Sequence, residues 1–209
     1  MLIDRAGLPF IGAALVLALA AGFWFGRGWS IPLLVLAAFF AFFFRDPSRT
    51  IPTAANLVVS PADARIMAAG ERQWPGAPPG EWQVVSMFLS PMDVHVNRTP
   101  VDGTVTRVEY HPGQFLPAYR KEAGQLNEWT EVWFDRPGGP IVARQIVGVL
   151  ARRIVCRLQV GDQVARGQRY GVMKFGSRMD LFLPLSATIR VAVGDKVVAG
   201  ETTIATLES

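Results

Sequence analysis

The chain has 209 residues, of which half are hydrophobic and 18% are charged, and its formal net charge is +4. That length accommodates one compact domain and a membrane segment, but hardly two large domains. The positive charges are dispersed, with no basic block that could follow a nucleic acid backbone, so we expect no nucleic acid partner. The single cysteine, Cys156, excludes an internal disulfide, and with two isolated histidines it gives no metal-ligand spacing.

Two uncharged apolar segments open the chain. The first, Leu8–Phe25, would span roughly 27 Å as a helix, close to the apolar thickness of a bilayer, and residues 31–44 form a shorter second segment. We therefore predict a membrane-anchoring helical hairpin over residues 1–48. Arg5 precedes the hairpin and Arg45 and Arg49 follow it, whereas only Arg27 lies in the turn. This asymmetry favours both ends on the cytoplasmic side of the cell (inner) membrane.

The pattern of the sequence changes after residue 56. Short runs rich in Val and Ile alternate with Gly, Pro and Asp every 8 to 12 residues, which is typical of a β-rich domain. We predict strands at residues 57–60, 65–69, 82–88, 103–110, 128–134, 141–149, 154–156, 170–175, 179–183 and 188–191, and a loop at 73–80. Residues 49–209 are thus expected to form a mainly β (α+β) domain.

An internal repeat lies near the C-terminus. Residues 160–167 and 193–200 both read V-G-D-x-V-x-x-G. The Gly-Asp pair predicts a tight turn, with the valines facing inward and the last glycine starting the next turn. This pattern resembles the hybrid half-barrels of biotinyl and lipoyl carrier domains, and it places residues 176 and 177 between two quasi-symmetric β units.

The Gly176-Ser177 bond is the candidate reactive bond. It has an unhindered carbonyl on one side and a hydroxyl on the other, as an intramolecular N-to-O acyl shift requires. Of the two histidines, His95 follows a predicted strand and is the better proton carrier, whereas His111 precedes Pro-Gly and is expected in a turn. Asp63 could be a turn aspartate, or it could orient His95 in an Asp-His-Ser arrangement. The sequence leaves both roles open.

Together these features resemble the phosphatidylserine decarboxylases, in their short (archaeal-type) bacterial branch. The resemblance covers nearly the whole chain. It rests on five segments: F-F-R-D-P-S-R at 43–49, V-S-P-A-D at 59–63, D-V-H-V-N-R at 93–98, A-R-R-I-V-C at 151–156 and R-Y-G-V-M-K-F-G-S-R at 169–178. Two positions depart from the family pattern. Ala64 stands where the family usually has Gly, and Trp129 stands where it usually has Arg.

The resemblance implies a proenzyme that cuts itself between Gly176 and Ser177. Its fragments, 1–176 and 177–209, would form a heterodimer, with further oligomerisation left open. Ser177 would become a pyruvoyl group, which forms a Schiff base with the substrate amine and acts as the electron sink for loss of CO2. His95, oriented by Asp63, would be the base in self-cleavage and the proton donor in decarboxylation. The reaction would convert phosphatidylserine to phosphatidylethanolamine.

The substrate implied by the resemblance is a phospholipid held in the membrane, which gives the hairpin a role. Arg98, Lys174 and Arg178 are candidates for binding its phosphate, as charge-assisted hydrogen-bond donors. Asn127 and Glu128, beside the departure at residue 129, are candidates for further substrate contacts.

Two alternatives remain from the residues alone. A carrier module could present Lys174 for biotin or lipoate, which would leave the hairpin and the His95 segment without a role. A serine hydrolase could use Ser177, His95 and Asp63, although the chain has no G-x-S-x-G elbow.

Overall fold

The computed structural model describes residues 2–149, 153–174 and 177–208. The chain divides into two compact units, Met1–Ser48 and Arg49–Ser209. Gly176, the predicted acyl side of the reactive bond, lies outside the described residues, as do residues 150–152 and Phe175.

The first unit is a helical hairpin. Helices α1 (Leu8–Phe25) and α2 (Ser30–Phe43) pack against each other through small buried side chains such as Ala18. The Ser30 hydroxyl donates to the Ala18 carbonyl across the turn at 2.8 Å. Two short strands, β1 (Leu2–Ile3) and β2 (Arg45–Asp46), pair antiparallel and hold the two ends of the hairpin together.

The second unit is mainly β, which confirms the predicted fold class. Its elements are β3 (Leu57–Val59), β4 (Ala64–Glu71), β5 (Gln83–Leu89), β6 (Val96–Arg98), β7 (Gly103–His111), α3 (Ala123–Leu126), β8 (Trp129–Asp135), β9 (Ile141–Ile146), β10 (Ile154–Cys156), β11 (Gln163–Val164), β12 (Arg169–Met173), β13 (Ser177–Leu183), β14 (Thr188–Ile189), β15 (Lys196–Val197) and β16 (Thr203–Thr206). Each of the ten predicted strands overlaps one of these.

Within the described residues, the strands of this unit form one large and two small antiparallel sheets. The main sheet has the order β11-β7-β8-β9-β13-β5-β4-β15, and the small sheets are β10-β12-β6 and β14-β16-β3. Apolar side chains from one face of the main sheet and from the small sheets form the principal core. Strand β13 lies in the middle of the main sheet, hydrogen-bonded to β5 and β9 on its two sides.

The two faces of β13 meet different surroundings, because side chains alternate along a strand. Met179 and Leu181 point into the principal core, the inner face. Phe182 belongs to a second cluster on the outer face, which the side chain of Trp74 covers. Ser177 shares the parity of Met179 and therefore lies on the inner face.

The two copies of the repeat have the same local structure. Gly161 and Gly194 both adopt φ 96°, which favours glycine, and their N–H groups donate to β7 and β4 at 2.8 and 2.9 Å. The first valine of each copy, Val160 and Val193, is 66% exposed. The prediction that all the valines face inward is therefore wrong for these two, because they precede the turn glycine at the surface. The half-barrel comparison stays a prediction, and these paired turns are compatible with it.

Candidate active site

Ser177 is the first residue of β13, and it is fully buried. It lies opposite Leu89, the last residue of β5. Among the described residues its Oγ has no hydrogen-bond partner. A buried hydroxyl without a partner costs free energy, so its presence at this position points to a function in chemistry.

The ends of two connections between sheets lie side by side at this point, because β6 pairs with β12 and β5 pairs with β13. One leads from β5 in the main sheet to β6 in a small sheet and contains His95. The other leads from β12, the neighbour of β6, back to β13 and ends at Ser177. The N–H of Met173, the last residue of β12, donates to the His95 carbonyl at 3.2 Å. The fold thus brings the His95 and Ser177 segments, far apart in sequence, to one seam between the sheets.

The histidine in this seam is held in one tautomer. His95 is 1% exposed, and its Nδ1 lies 2.9 Å from the Asp93 carbonyl oxygen. A carbonyl can only accept, so Nδ1 carries a proton, and in the neutral ring Nε2 then has the lone pair. This geometry directs any base chemistry of His95 to Nε2.

Asp63 is engaged by other groups. Arg49 binds both of its carboxylate oxygens, at 2.9 and 2.7 Å, and the Ala199 N–H donates to Oδ1 at 2.8 Å. Asp63 also borders a cavity of about 400 Å³ that the His95 connection lines with Ser90 and Asp93. Asp63 and the His95 segment thus share a cavity.

The other half of the domain contains an equivalent of Asp63. Asp102 accepts the Arg166 N–H, which precedes the last glycine of the first repeat, at 2.9 Å. The N–H bound by Asp63 precedes the last glycine of the second repeat in the same way. Asp102 also faces an arginine, Arg166, at 3.8 Å. Holding the repeat turn is therefore a role that both aspartates share.

The three predicted phosphate ligands lie in different surroundings. Arg178 is fully buried on the outer face and forms an ion pair with Asp180, and its Nη1 donates to the Arg120 carbonyl at 3.0 Å. Arg98 is 6% exposed and donates to the Gly167 carbonyl at 3.0 Å. Lys174 is half-buried beside the reactive junction. These positions fit phosphate binding at Lys174 better than at the two arginines.

The predicted substrate contacts at Asn127 and Glu128 also have structural partners. The Asn127 amide is fully buried and bonds the Leu116 backbone and the Val147 carbonyl at 2.8 to 2.9 Å. Partial desolvation, followed by the nearby Glu128 carboxylate and its hydrogen bond, raises the pKa of the Tyr110 hydroxyl. Asn127 thus fixes a loop, while Glu128 interacts with a tyrosine at the surface.

Two further ionisable groups near the core stay neutral. Burial raises the pKa of the Tyr170 phenol well above its usual value, with a smaller contribution from Cys156. Burial also raises the pKa of the Cys156 thiol. A thiol kept protonated is a poor nucleophile, which agrees with a packing role for Cys156.

Comparison with known proteins decides the family. A sequence profile described as phosphatidylserine decarboxylase matches residues 36–205. A phosphatidylserine decarboxylase proenzyme of Ralstonia nicotianae is 44% identical over 208 residues, covering 99% of this chain and 96% of the relative. The corresponding protein of Nitrosomonas europaea is 43% identical over 205 residues, covering 98% and 94%. The chain belongs to the phosphatidylserine decarboxylase family. It is thus a carboxy-lyase, as predicted.

The two departures from the decarboxylase pattern are accommodated in different ways. Trp129 stacks on His111 at 4.9 Å between ring centroids, and the Arg144 guanidinium lies 4.4 Å from a Trp129 ring centroid. A cation from a neighbouring strand therefore lies against this decarboxylase's tryptophan. Ala64 begins β4 opposite Val197, and such extended backbone accepts alanine readily.

One buried polar pair beside the seam was not predicted from the sequence. Asn97 and Gln145 are fully buried, and Gln145 Nε2 donates to Asn97 Oδ1 at 2.8 Å. The sequence could have indicated Asn97, because this residue follows His95 by two positions and so lies on the same side of an extended segment. Gln145 could not be found this way, since only the folded sheet brings it close.

Proposed function

We propose that this chain is a self-processing, pyruvoyl-dependent decarboxylase that converts phosphatidylserine to phosphatidylethanolamine and CO2. The observation that carries the proposal is the buried, unpartnered Oγ of Ser177 beside a connection that contains His95, whose Nδ1 is bound to the Asp93 carbonyl. The family assignment favours this function over a carrier that uses Lys174 and over a serine hydrolase.

The surroundings of Ser177 fit the pyruvoyl group better than they fit serine. Forming the group turns Cβ of Ser177 into a methyl and removes a hydroxyl that has no partner. The cross-strand neighbour is Leu89, which is fully buried, so a methyl is well placed there. When formed, the group supplies an electron sink for the bond that breaks as CO2 leaves.

The chain's own residues carry the proton transfers. We assign to His95 Nε2 the removal of the Ser177 hydroxyl proton as Oγ attacks the carbonyl carbon of Gly176. The hydroxyl proton passes to the nitrogen as the C–N bond breaks and leaves an ester. Removal of the Cα proton of Ser177, again by His95, then eliminates the carboxylate of Gly176 and leaves dehydroalanine. Water hydrolyses the dehydroalanine to the pyruvoyl group and releases ammonia. In decarboxylation we assign to His95 the return of a proton to the substrate Cα. Asp63, across the shared cavity, is proposed to support the imidazolium.

The phosphate of the substrate needs a cation near the junction. Lys174 is our proposed ligand, because its half-buried side chain follows β12 directly before the junction, whereas Arg98 and Arg178 are buried. Glu128 is kept as a candidate contact for the head group amine.

The two fragments are proposed to stay together as a heterodimer. After cleavage, β13 would still be hydrogen-bonded on both sides, to β5 and to β9. The Arg178–Asp180 ion pair would remain buried, with Asp180 also accepting from Trp74 and Ser86 at 2.9 and 2.6 Å. These contacts support retention of the pyruvoyl end in the middle of the sheet.

The hairpin is proposed to keep the enzyme at the inner membrane with the second unit in the cytoplasm. Among the described residues, one helical stretch, Arg5–Phe25, is long and apolar enough to cross a bilayer. A diacyl lipid does not leave the bilayer readily, so an anchored enzyme meets its substrate at the membrane surface.

The test is the intact mass and the activity of the full chain in detergent, beside Ser177→Ala, His95→Gln and His111→Gln. We expect the native chain to give two fragments, the small one starting at residue 177 and lighter by one ammonia than its sequence. It should release CO2 from phosphatidylserine. Ser177→Ala should stay in one piece, and His95→Gln should cut at least about 100-fold more slowly.

His111→Gln is the matched control, because His111 is exposed and stacks on Trp129 away from the seam. It should process like the native chain. An uncut native chain of unmodified mass that still decarboxylates the lipid would disprove pyruvoyl formation. Equal slowing by the two histidine variants would remove His95 from the proposed mechanism.

A further inference from the structure

Three unpaired polar atoms from neutral side chains lie around the inner face of β13. Among the described residues, six buried side-chain nitrogen or oxygen atoms lack a partner, and three of these are arginine nitrogens. The other three are Asn97 Nδ2, Gln145 Oε1 and Ser177 Oγ. Native structures leave few such groups without a partner, so three together call for an explanation.

The sheet register places Gln145 close to Ser177. Gln145 on β9 lies opposite Met179 on β13, two residues beyond Ser177 and on the same face. Diagonal neighbours of this kind have Cα atoms about 7 to 8 Å apart, within reach of a long side chain. Gln145 is therefore the diagonal neighbour of the proposed nucleophile.

Asn97 reaches Gln145 from the small sheet, where it lies opposite Gly171. A Cβ at residue 171 would lie 2.8 Å from Gln145 Nε2 and 2.5 Å from the Val155 carbonyl oxygen. Because residue 171 is glycine, the amide of Gln145 has room to reach Asn97. The contact joins the inner face of the main sheet to the strand that follows His95.

The pair is left with one amide NH2 and one amide carbonyl. Their mutual bond uses one donor of Gln145 and one acceptor of Asn97, so Asn97 keeps the NH2 and Gln145 keeps the carbonyl. Two apolar side chains of the same size would avoid the desolvation cost of these groups. The unpaired NH2 and carbonyl of the pair therefore suit hydrogen bonds to polar groups that appear only during the reaction.

We propose that the Asn97–Gln145 pair stabilises the acyl shift of self-processing. In that step the Ser177 Oγ–C bond forms at the carbonyl carbon of residue 176, and the C–N bond breaks. The hydroxyl proton ends on the nitrogen, so no other reactant is needed. The carbonyl oxygen carries negative charge on the way, and the free amine appears afterwards. The unpaired NH2 of Asn97 binds that oxyanion, and the unpaired carbonyl of Gln145 accepts from the amine.

This inference rests on the proposed self-processing and is tested by a double variant, Asn97→Leu with Gln145→Met, in the full chain. The double variant removes the pair without leaving one partner alone. We expect unfolding at the native temperature or above, because two unsatisfied groups are lost. We also expect processing to slow by about 100-fold or more, as for loss of an oxyanion donor. A purely structural pair would give lower stability instead.

Gln83→Met is the matched control. Gln83 is a buried glutamine at the other end of β5, and its amide is satisfied by three backbone carbonyls at 2.5 to 3.3 Å. This variant should lose stability and process at the native rate. Cleavage is followed by gel and intact mass, independently of decarboxylation.

The outcomes separate this inference from the proposed function. Native-rate cleavage of the double variant overturns the role of the pair while self-processing stands. Failure of the native chain to cleave overturns both. Where the double variant does not fold, Asn97→Asp keeps the acceptor for Gln145 Nε2 and replaces the NH2 by a carboxylate oxygen, which would repel an oxyanion. Native-rate processing of that variant rejects the inference equally.

Discussion

At the scale of single residues, comparing Asp63 with Asp102 distinguishes a structural role, which is to hold a turn, from a role in the reaction. Each accepts an N–H just before the last glycine of a repeat, at 2.8 and 2.9 Å, and each has an arginine partner. Only Asp63 borders the cavity that the His95 connection lines. Asp102 therefore serves as an internal control for Asp63, the candidate catalytic carboxylate.

We predict that Asp63→Asn slows self-cleavage by about 100-fold or more, since a neutral amide supports an imidazolium poorly. Asp102→Asn should cleave at the native rate, and both variants keep an amide oxygen that can accept the turn N–H. Fragment formation is followed by gel, and the unfolding temperature is measured for both variants. Equal cleavage rates of the two variants would assign to Asp63 the turn role alone.

At the scale of elements, the sequence predicted most strands but not the site's geometry. Runs such as 82–88 and 141–149 are long and β-branched, so their pattern alone identified β5 and β9. Strand β6 was missed, because it has only three residues, Val96–Arg98, and these are mixed in polarity. Strands β11, β15 and β16 were also missed. Strands β11 and β15 have two residues each and lie within the repeats, which were predicted as turns, and β16, Thr203–Thr206, has four residues. The seam depends on β6 pairing with β12, a long-range contact that no local pattern encodes.

Strand β13 also carries a buried ion pair, and one of its members, Arg178, was predicted from the sequence to be a candidate phosphate ligand. Arg178 and Asp180 are separated by two residues and both are fully buried. Arg107 and Glu109 on β7 have the same spacing but are 51% and 37% exposed. Spacing could not distinguish them, because burial on the outer face comes from Trp74, whose indole donates to Asp180 at 2.9 Å.

We predict that Asp180→Asn lowers the free energy of unfolding by about 3 to 5 kcal/mol, because it leaves the Arg178 charge buried without compensation. Glu109→Gln should change it by about 0 to 1 kcal/mol, as is usual for an exposed pair. Urea denaturation is measured in the Ser177→Ala background, so that one uncut chain unfolds. A loss below about 1 kcal/mol for Asp180→Asn would show that Arg178 finds another partner or reaches water.

At the scale of the whole molecule, the chain combines an apolar hairpin with a β domain that is compact by itself. Several large apolar side chains of the hairpin are exposed, including Val16 at 65% and Leu19 at 76%. An exposed apolar surface of this kind suits lipid better than water. The length of α2, 14 residues, gives about 21 Å of helix, so α1 carries most of the expected anchoring.

We predict that Val16→Arg weakens membrane partitioning of the full chain. An arginine near the centre of a spanning helix costs about 2.5 to 3.5 kcal/mol, which corresponds to a loss of about 100-fold in partitioning. Liposome flotation measures the bound fraction. Turnover is compared on long-chain phosphatidylserine in vesicles and on a dispersed short-chain form, and only the first should fall.

Val193→Arg provides the control for that substitution. Val193 is 66% exposed, nearly the same as Val16, but it lies in a turn of the β domain. The two variants thus add the same charge at equally exposed valines, and they differ in whether lipid surrounds the site. Flotation of Val16→Arg at the level of Val193→Arg would mean that this face of α1 does not enter the bilayer. The anchoring would then have to come from another surface, while self-processing would be unaffected, because it needs only residues of the β domain.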